Sequence, residues 1–222
     1  MTTTRLFNEP DKPVICPLCH AVDCAFYHQD KQRKYLCCPQ CQLVFVPSQY
    51  HLSEQKEKSQ YDLHQNDPGD EGYRKFLSRV AAPLLAKLQP GSCGLDFGCG
   101  PGPTLSVMLE EEGHFVTLYD IFYANYPECL CQTYDFVTAT EVVEHLSEPG
   151  VVLNQLWNLV KPGGCLAIMT KMVSSQTAFE TWHYKMDPTH ICFFPREAFI
   201  FLGRQWNCEP QFIGSDVVFF EG

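Results

Sequence analysis

The feature that most constrains this chain is the octet Leu95-Asp96-Phe97-Gly98-Cys99-Gly100-Pro101-Gly102. A short apolar run ends at an acid and passes into glycines at every second position. That is the pattern of a buried parallel strand entering a tight turn whose backbone a ligand can approach closely. A dinucleotide fingerprint needs G-x-G-x-x-G. Counted from Gly98 and Gly100, its third glycine falls on Pro103, so that class of nucleotide site is excluded. On the octet alone, a glycine-rich turn that binds nothing stays open.

The sequence that follows supplies the context. Residues 114–120 read as a second hydrophobic strand ending in Asp120, at the distance from the glycine turn where a ribose-binding acid is expected. A carboxylate can accept from both ribose hydroxyls; the alternative is a turn acid facing solvent. Residues 134–146 read as a third strand entering a helical turn, residues 153–160 as a helix, and residues 165–170 as a fourth strand. Strands alternating with helices specify a doubly wound α/β sheet. The octet, Tyr134-Asp135-Phe136-Val137, Glu141-Val142-Val143-Glu144-His145-Leu146 and Leu159-Val160-Lys161-Pro162-Gly163-Gly164 resemble, in order, the motifs of the class I S-adenosylmethionine-dependent methyltransferases. The resemblance covers residues 72–222. It implies a Rossmann-like, seven-stranded, mostly parallel sheet and S-adenosylmethionine as cofactor. Asp96, Gly98, Gly100 and Gly102 would lie against the amino-acid part of that cofactor, Asp120 against its ribose, and Glu141 on the same crevice. Between Asp120 and Tyr134 there is little room for a full helix and strand, and no acid stands where the family often holds the adenine amino group.

Upstream, two cysteine knuckles, Cys16-Pro17-Leu18-Cys19 and Cys38-Pro39-Gln40-Cys41, are separated by 18 residues. That spacing belongs to structural zinc sites, in which four thiolates close a tetrahedral shell. A segment this short needs such a staple. Residues 14–46 therefore read as a zinc ribbon with Zn2+ on Cys16, Cys19, Cys38 and Cys41. Cys37 is an alternative to Cys38, and Cys24, His20 or His28 to the others. Free thiols and a redox pair are the competing readings. The division is a ribbon over residues 1–47, a linker or lid over 48–71, and the methyltransferase-like domain over 72–222. Polar residues 47–72 mark the boundary. Tyr61, His64 and Asn66 are candidates for the lid. Residues 73–88 carry a helical apolar face despite Pro83, which should kink the helix or divide it.

Residues 171–194 hold Trp182-His183-Tyr184-Lys185-Met186-Asp187-Pro188-Thr189-His190, a segment rich in aromatic and titratable groups that follows a strand's carboxyl end and should cover the ligand crevice. His183, Asp187 and His190 are the catalytic candidates. The histidines would take a proton from the acceptor, with Asp187 fixing the tautomer. The alternatives are a divalent metal held by all three, or a structural turn begun at Asp187-Pro188. Glu141 and His145, a helical turn apart, are further candidates or an ordinary helix entry. Pro195 should start a helix, and residues 206–213 and 217–220 should pair as an antiparallel hairpin.

Charge bears on the acceptor. Through residue 47 there are five basic and four acidic residues, against 11 basic and 22 acidic in the remainder. Lys31, Arg33 and Lys34 between the knuckles would be the RNA handle of an RNA methyltransferase, the second reading, yet a phosphate-gripping protein usually shows a basic face. A small-molecule acceptor with an oxygen or carbon nucleophile is the first reading. A non-catalytic, cofactor-binding interaction protein is the third. No apolar run reaches the length of a membrane span and Met1–Arg5 carry no secretory core, so the expectation is a soluble, cytoplasmic protein whose 13 cysteines are thiols and metal ligands.

Overall fold

The computed structural model describes residues 14–63 and 66–222; His64 and the extreme N-terminus lie outside the described residues. In chain order the elements are β1 (Ala25–Gln29), β2 (Lys34–Cys37), β3 (Val44–Phe45), α1 (Glu54–Tyr61), α2 (Glu71–Leu85), β4 (Cys93–Phe97), α3 (Thr104–Glu111), β5 (Phe115–Tyr119) and β6 (Tyr134–Thr140). They continue with α4 (Pro149–Asn158), β7 (Val160–Met169), α5 (Gln176–Glu180), β8 (Cys192–Phe193), α6 (Arg196–Trp206), β9 (Gln211–Ile213) and β10 (Val217–Glu221).

The main sheet runs β5-β4-β6-β7-β10-β9. The first three pairings are parallel, and β10 is antiparallel to both β7 and β9. It has six strands among the described residues, where seven were expected. The missing strand belongs between Asp120 and Tyr134, a stretch that accommodates one 3-10 turn, Pro127–Cys131, and nothing longer. Along β7, Leu166 and Ile168 pack into one apolar layer and Cys165, Ala167 and Met169 into the other. This period of two with both faces buried is why the strand reads as an unbroken apolar run. Helices α2 and α3 cover one face through Leu77, Val80, Leu84, Leu105 and Leu109. Helices α4 and α6 cover the other through Leu153, Leu156, Phe199 and Leu202. Asp70 caps α2 by accepting from the Gly72 and Tyr73 backbone N–H groups. The helix runs unbroken through Pro83 and ends two residues later; so close to the C-terminus, the missing N–H removes one ladder bond without dividing the helix.

The N-terminal hairpin is not isolated from this body. Its sheet runs β1-β2-β3-β8, so that the fourth strand comes from residues 192–193. Val44 and Phe45 pair with Phe193 and Cys192, and the Val46 N–H donates to the Ile191 carbonyl at 2.8 Å. Its apolar residues Leu18, Tyr35, Leu43 and Phe45 belong to the same core as α4 and α6. A Cβ on Gly150, at the start of α4, would stand 2.2 Å from the Leu18 carbonyl oxygen. Only glycine permits that approach.

Candidate functional site

At the carboxyl ends of β4, β5 and β6 lies a cavity of about 720 Å³, within the usual range for small-molecule sites. One end is the glycine turn. Gly98 and Gly100 have φ of +73° and +64°, left-handed values that favour glycine. A Cβ on Gly98 would lie 2.4 Å from Val142 Cγ2, and one on Gly102 would lie 2.0 Å from the Asn66 carbonyl oxygen. Gly100 is the open position, with no atom nearer than 3.7 Å to its virtual Cβ. Asp120 closes the turn: Oδ2 accepts from Gly100 N at 3.0 Å, while Oδ1 accepts from the Phe122 and Tyr123 N–H groups. Lone-pair capacity remains on both oxygens. Asp96 lies below, 4% exposed, accepting from Ser106 Oγ at 2.8 Å and Thr138 Oγ1 at 2.7 Å. Burial outweighs these bonds and pushes its carboxyl up to about 6. Tyr61 and Asn66 line the same cavity.

The other end is built from the 3-10 turn Val143–His145 and the segment after α5. The structure brings Asp187 and His190 to the wall but not His183, which is exposed with Nε2 3.2 Å from Lys171 Nζ. The expected His183–Asp187–His190 group is therefore not assembled. Asp187 does not set the histidine tautomer either. Its Oδ1 accepts from the Thr189 N–H and hydroxyl, and its Oδ2 stands 3.8 Å from His190 Nε2, beyond hydrogen-bond reach. What orients His190 is the Tyr184 carbonyl, 2.7 Å from Nδ1; the Thr189 carbonyl, 3.2 Å from His145 Nδ1, does the same for the second ring. Both carbonyls place the ring proton on Nδ1.

Beside the two rings, whose centroids are 4.7 Å apart, lies Glu144, which sequence reasoning passed over although it belongs to the Glu141–Leu146 motif. Its side chain is fully buried; one oxygen accepts from the Tyr184 hydroxyl, while Oε2 is buried with no partner among the described residues. One ligand atom each from Glu144, His145 and His190 fall within 4.8 Å of one another. Glu141 approaches the cluster through Tyr184, whose hydroxyl donates to Oε2 at 3.3 Å, and its Oε1 is likewise without a partner. Glu141 holds φ of +52°, a costly conformation for a side chain of this size and one that often marks working sites. Burial, then the neighbouring Glu144, pushes the Glu141 carboxyl up to about 8, and burial raises Glu144 too. Burial, then His145, pushes His190 down to about 4, so it is neutral at pH 7.

The cysteine knuckles do converge. Cys16 and Cys41 Sγ are 3.5 Å apart, Cys19 and Cys38 Sγ 3.4 Å, and all four sulfurs lie within 4.8 Å. A tetrahedral ion with bonds of about 2.3 Å places its sulfurs about 3.8 Å apart, so the donor set and spacing suit a thiolate-bound ion. Cys24, Cys37, His20 and His28 do not join the group.

A model of the methyltransferase domain matches residues 70–210, more than half of the chain. The chain belongs to this methyltransferase-domain family. The methyltransferase resembles the ubiquinone biosynthesis O-methyltransferase of Photorhabdus laumondii, 37% identical over 71 residues, or 32% of this chain and 30% of that protein's length. The 1,6-didemethyltoxoflavin-N1-methyltransferase of Burkholderia thailandensis, solved with 1,6-didemethyltoxoflavin and S-adenosylhomocysteine, is 15% identical. It covers 89% of this chain and 97% of its own, with a TM-score of 0.51. An O-methyltransferase family protein from Burkholderia thailandensis is also 15% identical, covering 78% of this chain and 61% of its own, at a TM-score of 0.50. The fold is accordingly the Rossmann-like one of S-adenosylmethionine-dependent methyltransferases. No helix among the described residues is long and apolar enough to cross a membrane.

Proposed function

We propose that this methyltransferase transfers the methyl group of S-adenosylmethionine to an oxygen or carbon nucleophile of a small molecule. The observation that carries the proposal is a single cavity that joins the glycine turn and Asp120 to Glu141, His145 and His190, with Glu141 Oε1 buried and without a partner among the described residues. The cradle fits the cofactor. Gly98 and Gly100 expose backbone where a side chain would intrude, and Asp120 retains acceptor capacity for ribose hydroxyls. Asp96 and Gly102 complete the cradle, and Glu141 stands between the two ends. When bound, S-adenosylmethionine supplies an electrophilic methyl carbon on a sulfonium.

The rest is done by the chain's own groups. The cavity aligns the acceptor and keeps water from it. Glu141 accepts the acceptor's proton through Oε1, with Tyr184 and Glu144 behind it, because its carboxyl, raised by burial to about 8, titrates nearer a phenol or enol than an ordinary carboxylate does. His190 and His145 hold the acceptor oxygen. A second reading uses the neighbouring group: Glu144, His145 and His190 each bring one possible ligand atom within 4.8 Å of the others, a donor set suited to a divalent cation, which would orient vicinal oxygens. At the other end of the chain, Cys16, Cys19, Cys38 and Cys41 hold a structural Zn2+. RNA as acceptor is disfavoured because Arg33, one of three basic residues in the presumed handle, is 6% exposed and bonded internally.

Calorimetric titration with S-adenosylhomocysteine tests the cofactor, and absence of binding overturns the proposal. With tritiated S-adenosylmethionine and a panel of phenols, catechols and enols, Glu141→Gln should abolish transfer while S-adenosylhomocysteine binding is retained. Loss on brief dialysis against EDTA, restored by Fe2+ or Mn2+, selects the cation reading over direct proton transfer.

A further inference from the structure

The ribbon reaches into the active half of the molecule through one side chain. Arg33, in the turn between β1 and β2, is 6% exposed, and its donors go to the segment carrying His190. Nη1 donates to the Pro188 carbonyl at 3.1 Å, Nη2 to the Asp187 carbonyl at 2.7 Å and to the Lys185 carbonyl, and Nε to the Tyr35 hydroxyl at 3.1 Å. Asp30 braces the same corner. It accepts from the Tyr35 hydroxyl and the Arg33 N–H, and it pairs with Lys185 Nζ, itself 4% exposed, at 3.5 Å. A guanidinium is planar and rigid, and three carbonyls converging on it fix a backbone that no regular ladder holds.

The opposite edge of that backbone makes the contacts of the acceptor end. The Thr189 carbonyl orients His145, the Tyr184 carbonyl orients His190, and the Ile191 N–H donates to the Glu144 carbonyl at 2.8 Å. Segment 184–191 is therefore a thin layer with Arg33 on one side and Glu144, His145 and His190 on the other. Among the described residues, no comparable hydrogen bond ties the ribbon to the glycine turn.

We propose that Arg33 is a positioning residue for the acceptor end: from the ribbon, it sets the imidazoles of His145 and His190 against Glu144 and leaves the cofactor cradle untouched. The proposal rests on the reading of that cluster as the acceptor end, but its test does not require the acceptor to be known. The experiment uses the full-length, metal-loaded protein with ¹⁵N-labelled histidine, comparing wild type, Arg33→Ala and Arg33→Lys. Imidazole ¹⁵N spectra, amide hydrogen exchange and calorimetric titration with S-adenosylhomocysteine are recorded on each.

In wild type, His145 and His190 give the fixed Nδ1–H tautomer. In Arg33→Ala both signals move towards tautomer averaging, and exchange across 185–191 speeds up about tenfold or more. The cysteine knuckles and residues 95–102 keep their protection, and S-adenosylhomocysteine affinity stays within about twofold. Arg33→Lys, with a single donor head, recovers part of the effect. Unchanged imidazole spectra in the variants overturn the proposal. So does loosening that spreads to residues 95–102 with a parallel loss of S-adenosylhomocysteine affinity, which would make Arg33 a general stabiliser. Should Arg33→Ala fail to fold, the same criteria apply to Arg33→Lys. Failure of wild type itself to bind S-adenosylhomocysteine counts against the proposed function, separately from the imidazole readout.

Discussion

Asp96→Asn should stabilise the protein at neutral pH, and by an amount that depends on pH. The native carboxyl titrates at about 6 because burial disfavours its charge more than the Ser106 and Thr138 hydroxyls favour it. An unfolded aspartate titrates near 3.9. Between those values the native state binds more protons than the unfolded state, so stability falls as pH rises, and the loss is complete above the native value. A separation of about two pKa units amounts to about 3 kcal/mol, of which about 2 kcal/mol develops between pH 4.5 and 7.5. Asparagine removes the charge and keeps the shape. Its carbonyl can accept from Ser106, and its amide can donate to Thr138, whose hydroxyl already has a second acceptor in the Leu95 carbonyl at 3.3 Å. Urea denaturation of both proteins at pH 4.5, 5.5, 6.5 and 7.5 gives the difference directly. The variant should gain on wild type by about 2 kcal/mol across that range. A difference that stays flat with pH, or a variant less stable than wild type at pH 7.5, would refute the account of Asp96 as a carboxylate held against its own desolvation.

Gly98→Ala places a methyl 2.4 Å from Val142 Cγ2 at a φ of +73°, so the turn must move; S-adenosylhomocysteine affinity by calorimetry should fall about tenfold or more. Gly150→Ala drives a Cβ to 2.2 Å from the Leu18 carbonyl, and thermal unfolding should register a loss of about 1–3 kcal/mol as the ribbon parts from α4. Cys16→Ser or Cys41→Ser should lower the zinc content measured by atomic absorption from one ion per chain and depress the melting temperature. One zinc per chain retained in both variants would discard the tetrathiolate site.

The strand order around Gly98 was legible because each signal is local. An apolar run, an acid and alternate glycines describe β4 and its turn without reference to anything distant, and the knuckles of Cys16, Cys19, Cys38 and Cys41 carry their own spacing. The six-strand sheet was half legible. The short gap before Tyr134 was visible, while the family resemblance supplied a seventh strand that the gap has no room for. The arrangement around His190 was not legible because its members are tied by backbone carbonyls, which leave no mark in sequence. His183 and His190 look alike as letters, but only His190 follows the Asp187-Pro188-Thr189 turn inward. Glu144 reads as a charged residue between a valine and a histidine, and its burial depends on Tyr184 arriving from 40 residues away. Arg33 reads as surface charge for the same reason; the carbonyls it serves lie more than 150 positions downstream.

The pairing of Val44 and Phe45 with Phe193 and Cys192 has a consequence for how the chain is made. On a ribosome the hairpin emerges with its knuckles able to gather metal, yet its outer edge stays bare until Cys192 and Phe193 have been synthesised. A bare edge beside Leu43, Phe45 and Tyr35 invites strangers to add a strand. Conversely, a truncated protein beginning at α2 would present Phe193 and Tyr184 to water with no hairpin to shelter them. The two regions mature together, and shortening the gene from the front should yield inclusion bodies instead of a smaller enzyme.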